Sequence, residues 1–316
     1  MLIRTHDEPV WGASRVSEPV IDVSELTRRF GANTALASVS VSVPRGAVYG
    51  LVGANGAGKT TLIKHVLGLL QPESGSVRVF GLDPVAEPVA VLSRIGYLSE
   101  ENDLPGWMTV DELFRYSRAL YPGWDDAYGE ELRQMFALDP AARIKTLSKG
   151  QKARAGLLMA LAYRAELLVL DEPSSGLDPI VRRDILGAVI RTIAHEGRTV
   201  LFSSHLLDEV EQVADHVTMI SQGRVALSAP LHAMKESHRC VTVRFPEPRP
   251  RPPDVAGVLR WNGAGQEWTA VCRDGSGELQ KTVASWGAQI VAERAPTLAE
   301  LFFAQVGIHA ASEADT

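Results

Sequence analysis

Cysteine is scarce in this chain: two in 316 residues, Cys240 and Cys272, neither with a second Cys or His at metal-ligand spacing. That excludes a disulfide framework or a cysteine-built metal site and fits a reducing cytosol. Clusters of lysine and arginine are also missing, and the net charge is −6 at pH 7. An extended nucleic-acid face needs such clusters, so no nucleic-acid partner is expected. The most apolar stretch, Leu157 to Leu170, is broken by Arg164 and Glu166 and is too short to cross a bilayer as a helix. Any membrane role must therefore come through a partner. The first residues, with Arg4, His6, Asp7 and Glu8, offer no apolar run ending in a small-residue cleavage site, and residues 1–19 read as a loose tail. No internal repeat is found.

What is present is an ordinary globular balance, 45% hydrophobic and 22% charged, on a chain long enough for one large α/β unit and a smaller second one. The residues alternate in β fashion from Val20 to Val23 and from Ala37 to Val43, predicting antiparallel strands that end at Pro44-Arg45-Gly46. Ala47-Val48-Tyr49-Gly50-Leu51-Val52 is a continuous apolar run, as in a strand buried on both faces. It leads through a glycine-rich loop into an amphipathic helix through Leu62, Val66 and Leu69. After Leu98 the texture turns helical. Thr109-Val110-Asp111-Glu112 is a capping box opening a helix toward Tyr121, and Asp125 to Phe136 reads as a second helix. The α/β pattern returns with Leu167 to Leu170, a helix after Pro179 that ends at Gly197, and a strand from Thr199 to Phe202, implying a core parallel sheet. Beyond Pro230 the composition shifts. Pro246 to Pro253 predicts a loop that no regular element contains. Around it, short strands (Val241–Phe245, Val255–Trp261, Trp268–Cys272, Ile290–Ala292) and helices (Glu278–Trp286, Leu298–Val306) predict a small α+β unit.

Three short motifs carry chemistry. Gly53-Ala54-Asn55-Gly56-Ala57-Gly58-Lys59-Thr60 matches the phosphate-loop pattern G-x-x-x-x-G-K-[ST], placed between strand and helix. Glycines let backbone N–H groups close on phosphate oxygens at a helix N-terminus, where Lys59 reaches the β and γ phosphates and Thr60 offers its hydroxyl to Mg²⁺. Leu167-Leu168-Val169-Leu170 ends in Asp171-Glu172, two carboxylates whose burial calls for a cation. Asp171 suits the outer shell of that Mg²⁺ and Glu172 suits polarising the water that attacks the γ-phosphate, with a helix cap as the plainer reading of Asp-Glu-Pro. In Leu147-Ser148-Lys149-Gly150-Gln151, Ser148 reads as an N-cap whose helix start presents free N–H groups, an ordinary cap or a second anion site.

In this order the motifs resemble those of the nucleotide-binding subunits of ATP-binding cassette (ABC) transporters, over roughly residues 20–230. The resemblance implies an α/β fold: a P-loop NTPase domain of ABC type with a mostly parallel core sheet, an antiparallel β subdomain and a helical subdomain over about 100–160, followed by a small α+β C-terminal domain over 231–316. It makes Gly53 to Thr61 the phosphate loop and Leu147 to Gln151 the family signature. Ser175-Gly176-Leu177-Asp178 becomes the loop that crosses a dimer interface, and Ser203-Ser204-His205 brings the switch histidine. ATP held by one subunit would be closed over by the signature of another, through Ser148, Gly150 and Gln151, with His205 reaching the γ-phosphate from its own side. Phe30 matches the aromatic that stacks on adenine, or is a core or strand-end aromatic. Glu100 stands where the family typically has glutamine, either facing a Mg²⁺-bound water or as a solvated loop acid, and Lys149 stands in place of a signature glycine. Trp107 and Met108 would meet a membrane subunit, while Trp107 and Trp124 serve equally as local core. The ending Pro296 to Phe302 resembles the accessory domain of ABC-2 type exporters.

The function so implied is an ATP-hydrolysing motor with ATP and Mg²⁺ as cofactors. Its partners would be a separate transmembrane permease, for export, and a second ATP-binding subunit, the same or different, on the inner face of the membrane. A soluble ABC-type ATPase acting on ribosome or DNA is the alternative. Translation-linked members resemble tandem cassettes and repair members carry coiled coils or Cys-x-x-Cys, none of which is present. A P-loop kinase would leave the signature and His205 unexplained.

Overall fold

The computed structural model describes residues 18–121, 123–273 and 277–313, so nearly all of the expected tail lies outside the described residues. Strands β1 (Ile21–Phe30) and β2 (Asn33–Val43) form an antiparallel hairpin turning at Gly31, where φ is +60°. Its alternation buries Ile21, Val23 and Leu26 beneath Val39, Val41 and Val43. Strand β3 (Val48–Val52) is buried along its whole length and feeds the glycine loop and helix α1 (Lys59–Val66). The helix stops short of Leu69, which is 60% exposed. Gly68 follows at φ +69°, packed so closely that a Cβ would lie 2.2 Å from the Pro84 carbonyl oxygen, and this turn ends the helix. Strand β4 (Ser74–Val79) then pairs with the free edge of β1.

After α2 (Pro88–Leu92) and β5 (Ile95–Leu98) come α3 (Val110–Leu120), α4 (Asp126–Met135) and α5 (Lys149–Leu161). The expected capping box is formed at α3: Glu112 N donates to Thr109 Oγ1 at 3.1 Å and Thr109 N donates to Glu112 Oε2 at 2.8 Å. Asp125 caps α4 by accepting from Tyr128 N at 2.9 Å. Leu113, Leu132, Phe136, Leu157 and Leu158 bury the shared face. Met108 is buried with them and is no surface contact; Trp107 is 68% exposed, and Trp124 packs edge-on to Phe114 at 4.8 Å.

Strands β6 (Leu167–Asp171), β7 (Thr199–Ser204), β8 (His216–Ser221) and β9 (Arg224–Pro230) complete the central sheet, with α6 (Pro179–Glu196) and α7 (Leu207–Val213) between them. The strand order is β5-β6-β7-β3-β8-β9, parallel except for the β8–β9 pair. Val52 lies opposite Ser204 and Asp171 opposite Ser203. The carboxyl ends of β6, β7 and β3 are therefore adjacent, and the loops that leave them share one crevice.

Residues beyond Pro230 form α8 (Leu231–Glu236), β10 (His238–Arg249), β11 (Val258–Arg273), α9 (Gly277–Ser285), β12 (Gln289–Arg294) and α10 (Leu298–Glu313), with sheet order β11-β10-β12. The proline run is not wholly loop, because β10 continues through Pro246 and Pro248. It does so where β10 has passed beyond β12 and slips against β11, from Arg244 opposite Glu267 to Arg249 opposite Gly265, which spares the ladder the missing N–H groups. Strand β11 cannot be straight: sixteen residues would span about 53 Å at 3.3 Å each, yet Arg273 N donates to Gly257 O at 2.8 Å. It doubles back near Gly265 (φ +63°), so the two short strands expected from the sequence are its two arms. Cys240 and Cys272 join different hydrophobic clusters, and burial pushes their thiols up to about 12 and about 11. Among the described residues no helix is long and apolar enough to cross a membrane.

The C-terminal part is fastened to the central sheet. Leu298, Leu301 and Ala304 share a core with Val210, Leu298 N donates to Glu211 Oε2 at 2.9 Å, and Lys235 Nζ pairs with Glu211 Oε1 at 2.6 Å. Glu300 holds the start of α10. Two hydrogen bonds from Arg294, at 2.5 and 2.8 Å, are the main reason its carboxyl is held down to about 2, against the upward pull of burial and with help from Thr297. A carboxyl so lowered stabilises the fold above its ordinary value of 4.5, and that contribution disappears as the pH falls toward about 2. Glu300→Gln should therefore melt below the wild type near neutral pH, with the gap closing in acid. A gap that persists at the acid end contradicts the assignment.

Candidate active site

The glycine loop is shaped by contacts only glycine tolerates. A Cβ on Gly53 would sit 2.4 Å from Ile220 O. On Gly58, at φ +112°, it would sit 2.6 Å from Ala35 O. The loop thereby borders a cavity of about 660 Å³ at the N-terminus of α1. Phe30, Asn55, Gly56, Gly58, Lys59, Thr60, Thr61, Glu100 and Glu172 all line it. Phe30 is a strand-end residue 46% exposed, not a core one, and the Arg28 guanidinium lies 4.9 Å from its ring centre.

Lys59 and Glu172 are each 5% exposed, with Lys59 Nζ 3.0 Å from Glu172 Oε1. Nζ also donates to Gly53 O at 2.7 Å and Ala54 O at 3.2 Å, and Oε1 receives no well-aligned hydrogen bond, so the contact is chiefly ionic. Glu172 Oε2 lies 2.7 Å from His205 Nδ1. A carboxylate only accepts, so Nδ1 carries the hydrogen and Nε2 points its free electron pair or second proton elsewhere. Ser203 joins the two acids: its hydroxyl donates to Asp171 Oδ1 at 2.7 Å and accepts from Glu172 N at 2.9 Å. Glu172 has φ +48°, a left-handed backbone that costs a non-glycine residue about 1–2 kcal/mol and persists where its surroundings hold it. Burial, then the charges of Asp171 and Glu101, push the Tyr97 phenol up to about 12, which keeps it protonated beside these acids.

Ser148, Gly150, Gln151 and Asp178 do not line this cavity. They stand together at the starts of α5 and α6. Ser148 Oγ accepts from Gln151 N at 3.2 Å, Gln151 Oε1 accepts from Ser148 N at 2.9 Å, and Asp178 Oδ1 accepts from Ile180 N and Val181 N at 2.9 and 3.1 Å. A Cβ on Gly150 would meet Val181 Cγ2 at 2.9 Å and one on Gly176 would meet Lys149 Nζ at 2.5 Å, so the two helix starts are in contact. The sequence thus yields two clusters: one enclosing a cavity, the other an exposed pair of capped helix ends.

Five cavity residues escaped the sequence reading: Asn33, Thr34, Ala35, Gln222 and Gly223. Gln222 and Gly223 have φ +48° and +73° in the tight turn between β8 and β9, a signal their dipeptide carries only faintly.

Residues 36–175 match the ABC transporter family. The bacitracin transport ATP-binding protein BcrA of Bacillus licheniformis is 32% identical over 223 residues, 70% of this chain and 72% of that one. The daunorubicin/doxorubicin resistance ATP-binding protein DrrA of Streptomyces peucetius is 35% identical over 225 residues, 69% and 67% of the two chains. The chain belongs to the ABC transporter ATP-binding proteins. A solved ATP binding subunit of an ABC transporter, 28% identical, superposes with a TM-score of 0.63 over 69% of this chain and 92% of its own. This ABC ATP-binding subunit is accordingly a nucleotide-binding ATPase with the α/β architecture of the family.

Among the described residues that line the cavity, Lys59 is the one cation, and it is buried. Lys59→Ala should weaken ATP binding on the order of 10- to 100-fold, the value of one or two charge-assisted hydrogen bonds. Titration with a fluorescent ATP analogue checks this, and an unaltered affinity contradicts it.

Proposed function

We propose that this chain is the motor of an exporter: it binds MgATP in the Lys59 cavity, is closed over by a second ATP-binding subunit, and drives a separate transmembrane permease from the inner face of the membrane. The observation that carries this reading is the split between the two clusters. Ser148, Gly150 and Gln151 begin a helix whose N–H groups suit an anion, yet they do not line their own chain's cavity. Facing another subunit's nucleotide gives them one. The second subunit is a copy of this chain or a different one, and export is supported by relatives whose names refer to bacitracin transport and to daunorubicin/doxorubicin resistance.

A hard divalent cation fits the residues present. Thr60 and Glu100 line the cavity with oxygen donors, and Asp171, whose Oδ1 accepts from Ser203, stands next to Glu172, so these three would hold such an ion beside the phosphates. Bound there, Mg²⁺ supplies charge neutralisation at the phosphate oxygens. The chain's own groups do the rest. Phe30 stacks on the base, loop N–H groups hold the phosphates, and Lys59 turns from Glu172 to the γ-phosphate. The freed Glu172 carboxylate accepts a hydrogen from the attacking water, orienting it in line with the bond to be cleaved. His205, with Nδ1–H on Glu172, presents its Nε2 side to the γ-phosphate. Closure by the second subunit excludes water, and opening after hydrolysis delivers the stroke.

Glu172→Gln keeps the size of the side chain while removing its charge. ATP binding should persist, a closed dimer should accumulate by size-exclusion chromatography, and steady-state turnover should fall by about 10²-fold or more. Unchanged turnover removes Glu172 from this role.

A further inference from the structure

We infer that Glu209, on α7, is a positioning residue for hydrolysis, clamping the loop that carries Glu172 to the helix that follows His205; this rests on the roles given to those two residues above. Glu209 lies in the first turn of α7 and is 8% exposed. Its Oε2 accepts from Ser174 Oγ, itself 1% exposed and two residues beyond Glu172. Its Oε1 is buried with no hydrogen-bond donor, and the Arg182 Nε lies 3.9 Å away with its hydrogen given to Leu177 O at 2.9 Å. Arg182 N in turn donates to Asp178 O at 3.1 Å. One buried carboxylate therefore sits where three segments meet: the loop after β6, the start of α6 and the start of α7.

Stability does not account for it. A buried carboxylate costs several kcal/mol unless well paired, and an apolar residue would satisfy this packing better. The left-handed backbone of Glu172 does account for it. On the upstream side Glu172 is held by the ladder and by Ser203, and its carboxylate is held by Lys59 and His205. Downstream, Ser175 N donates to Glu172 O at 3.1 Å and Leu177 N to Ser174 O at 3.2 Å, which closes a turn within the loop, and the bond from Ser174 Oγ to Glu209 ties that turn to α7. When Lys59 leaves for the γ-phosphate, Glu172 loses a holder and the Ser174–Glu209 bond keeps its carboxylate in line with the water. Neither Ser174 nor Glu209 lines the cavity, so the bond acts on the chemical step and not on nucleotide affinity.

The test uses the full chain as Glu209→Ala, Ser174→Ala, their double and Glu209→Gln, with steady-state ATP hydrolysis, fluorescent-nucleotide binding and melting temperature measured on each. Each alanine variant should lower kcat about tenfold or more while KM and affinity stay within about twofold, as for loss of orientation by a fraction of an ångström. The double should match the singles, since both remove one bond. Glu209→Gln keeps an oxygen for Ser174 and should recover most of kcat. Ser174→Ala removes a single oxygen and carries the test where Glu209→Ala does not fold. Wild-type turnover in both alanine variants, multiplying losses in the double, or affinity falling in step with kcat overturns the proposal. A wild-type chain that binds no ATP would instead sink the site reading beneath it.

Discussion

The Lys59–Glu172 ion pair is the contact on which the rest of the site depends. Two opposite charges, each 5% exposed and 3.0 Å apart, survive burial only because each satisfies the other and both have further partners: two loop carbonyls on the lysine, His205 on the glutamate. Removing one partner leaves an uncompensated buried charge; an incoming anion such as phosphate can replace the carboxylate beside Lys59, while His205 stays on Glu172. On the proposed function the pair is the resting arrangement of a site that takes a polyanion. The same proposal has the pair free a carboxylate when the polyanion arrives.

The fold serves to bring that pair together. Lys59 begins the helix after β3, Glu172 follows β6 and His205 follows β7, and the three strands lie side by side in register. Strands β3, β6 and β7 are buried along their whole length, so their apolar runs anchor the loops against a rigid layer. Glycines at 53 and 58 let the loop pass within contact of Ile220 and Ala35. The helical layer carries the Ser148 cluster, which does not line the cavity, and α7, which follows His205, bears Glu211, where the C-terminal part is attached.

What the sequence revealed was whatever is local. The phosphate loop, the acidic strand end and the capping boxes at Thr109 and Ser148 each need only a few consecutive residues, and each folds as its spacing demands. Contacts between distant segments were hidden. Leu69 has the helical period, but Gly68 is required to turn against Pro84 and the helix ends before it. Pro246 and Pro248 read as loop because the register slip that admits them, between Arg244 opposite Glu267 and Arg249 opposite Gly265, exists only in the pairing of β10 with the distant β11. The turn at Gln222-Gly223 and the segment Asn33 to Ala35 reach the cavity from strands remote in sequence, and Glu209 gains its meaning only from Ser174 and Arg182 across the fold.

A high-resolution crystal structure of the chain with Mg²⁺ and a non-hydrolysable ATP analogue tests the exchange of partners at Lys59 most directly. Lys59 Nζ should lie within hydrogen-bond distance of the β and γ phosphates, with Glu172 released from it and facing the γ-phosphorus. An intact Lys59–Glu172 pair at its present 3.0 Å, with the nucleotide bound elsewhere, would contradict it.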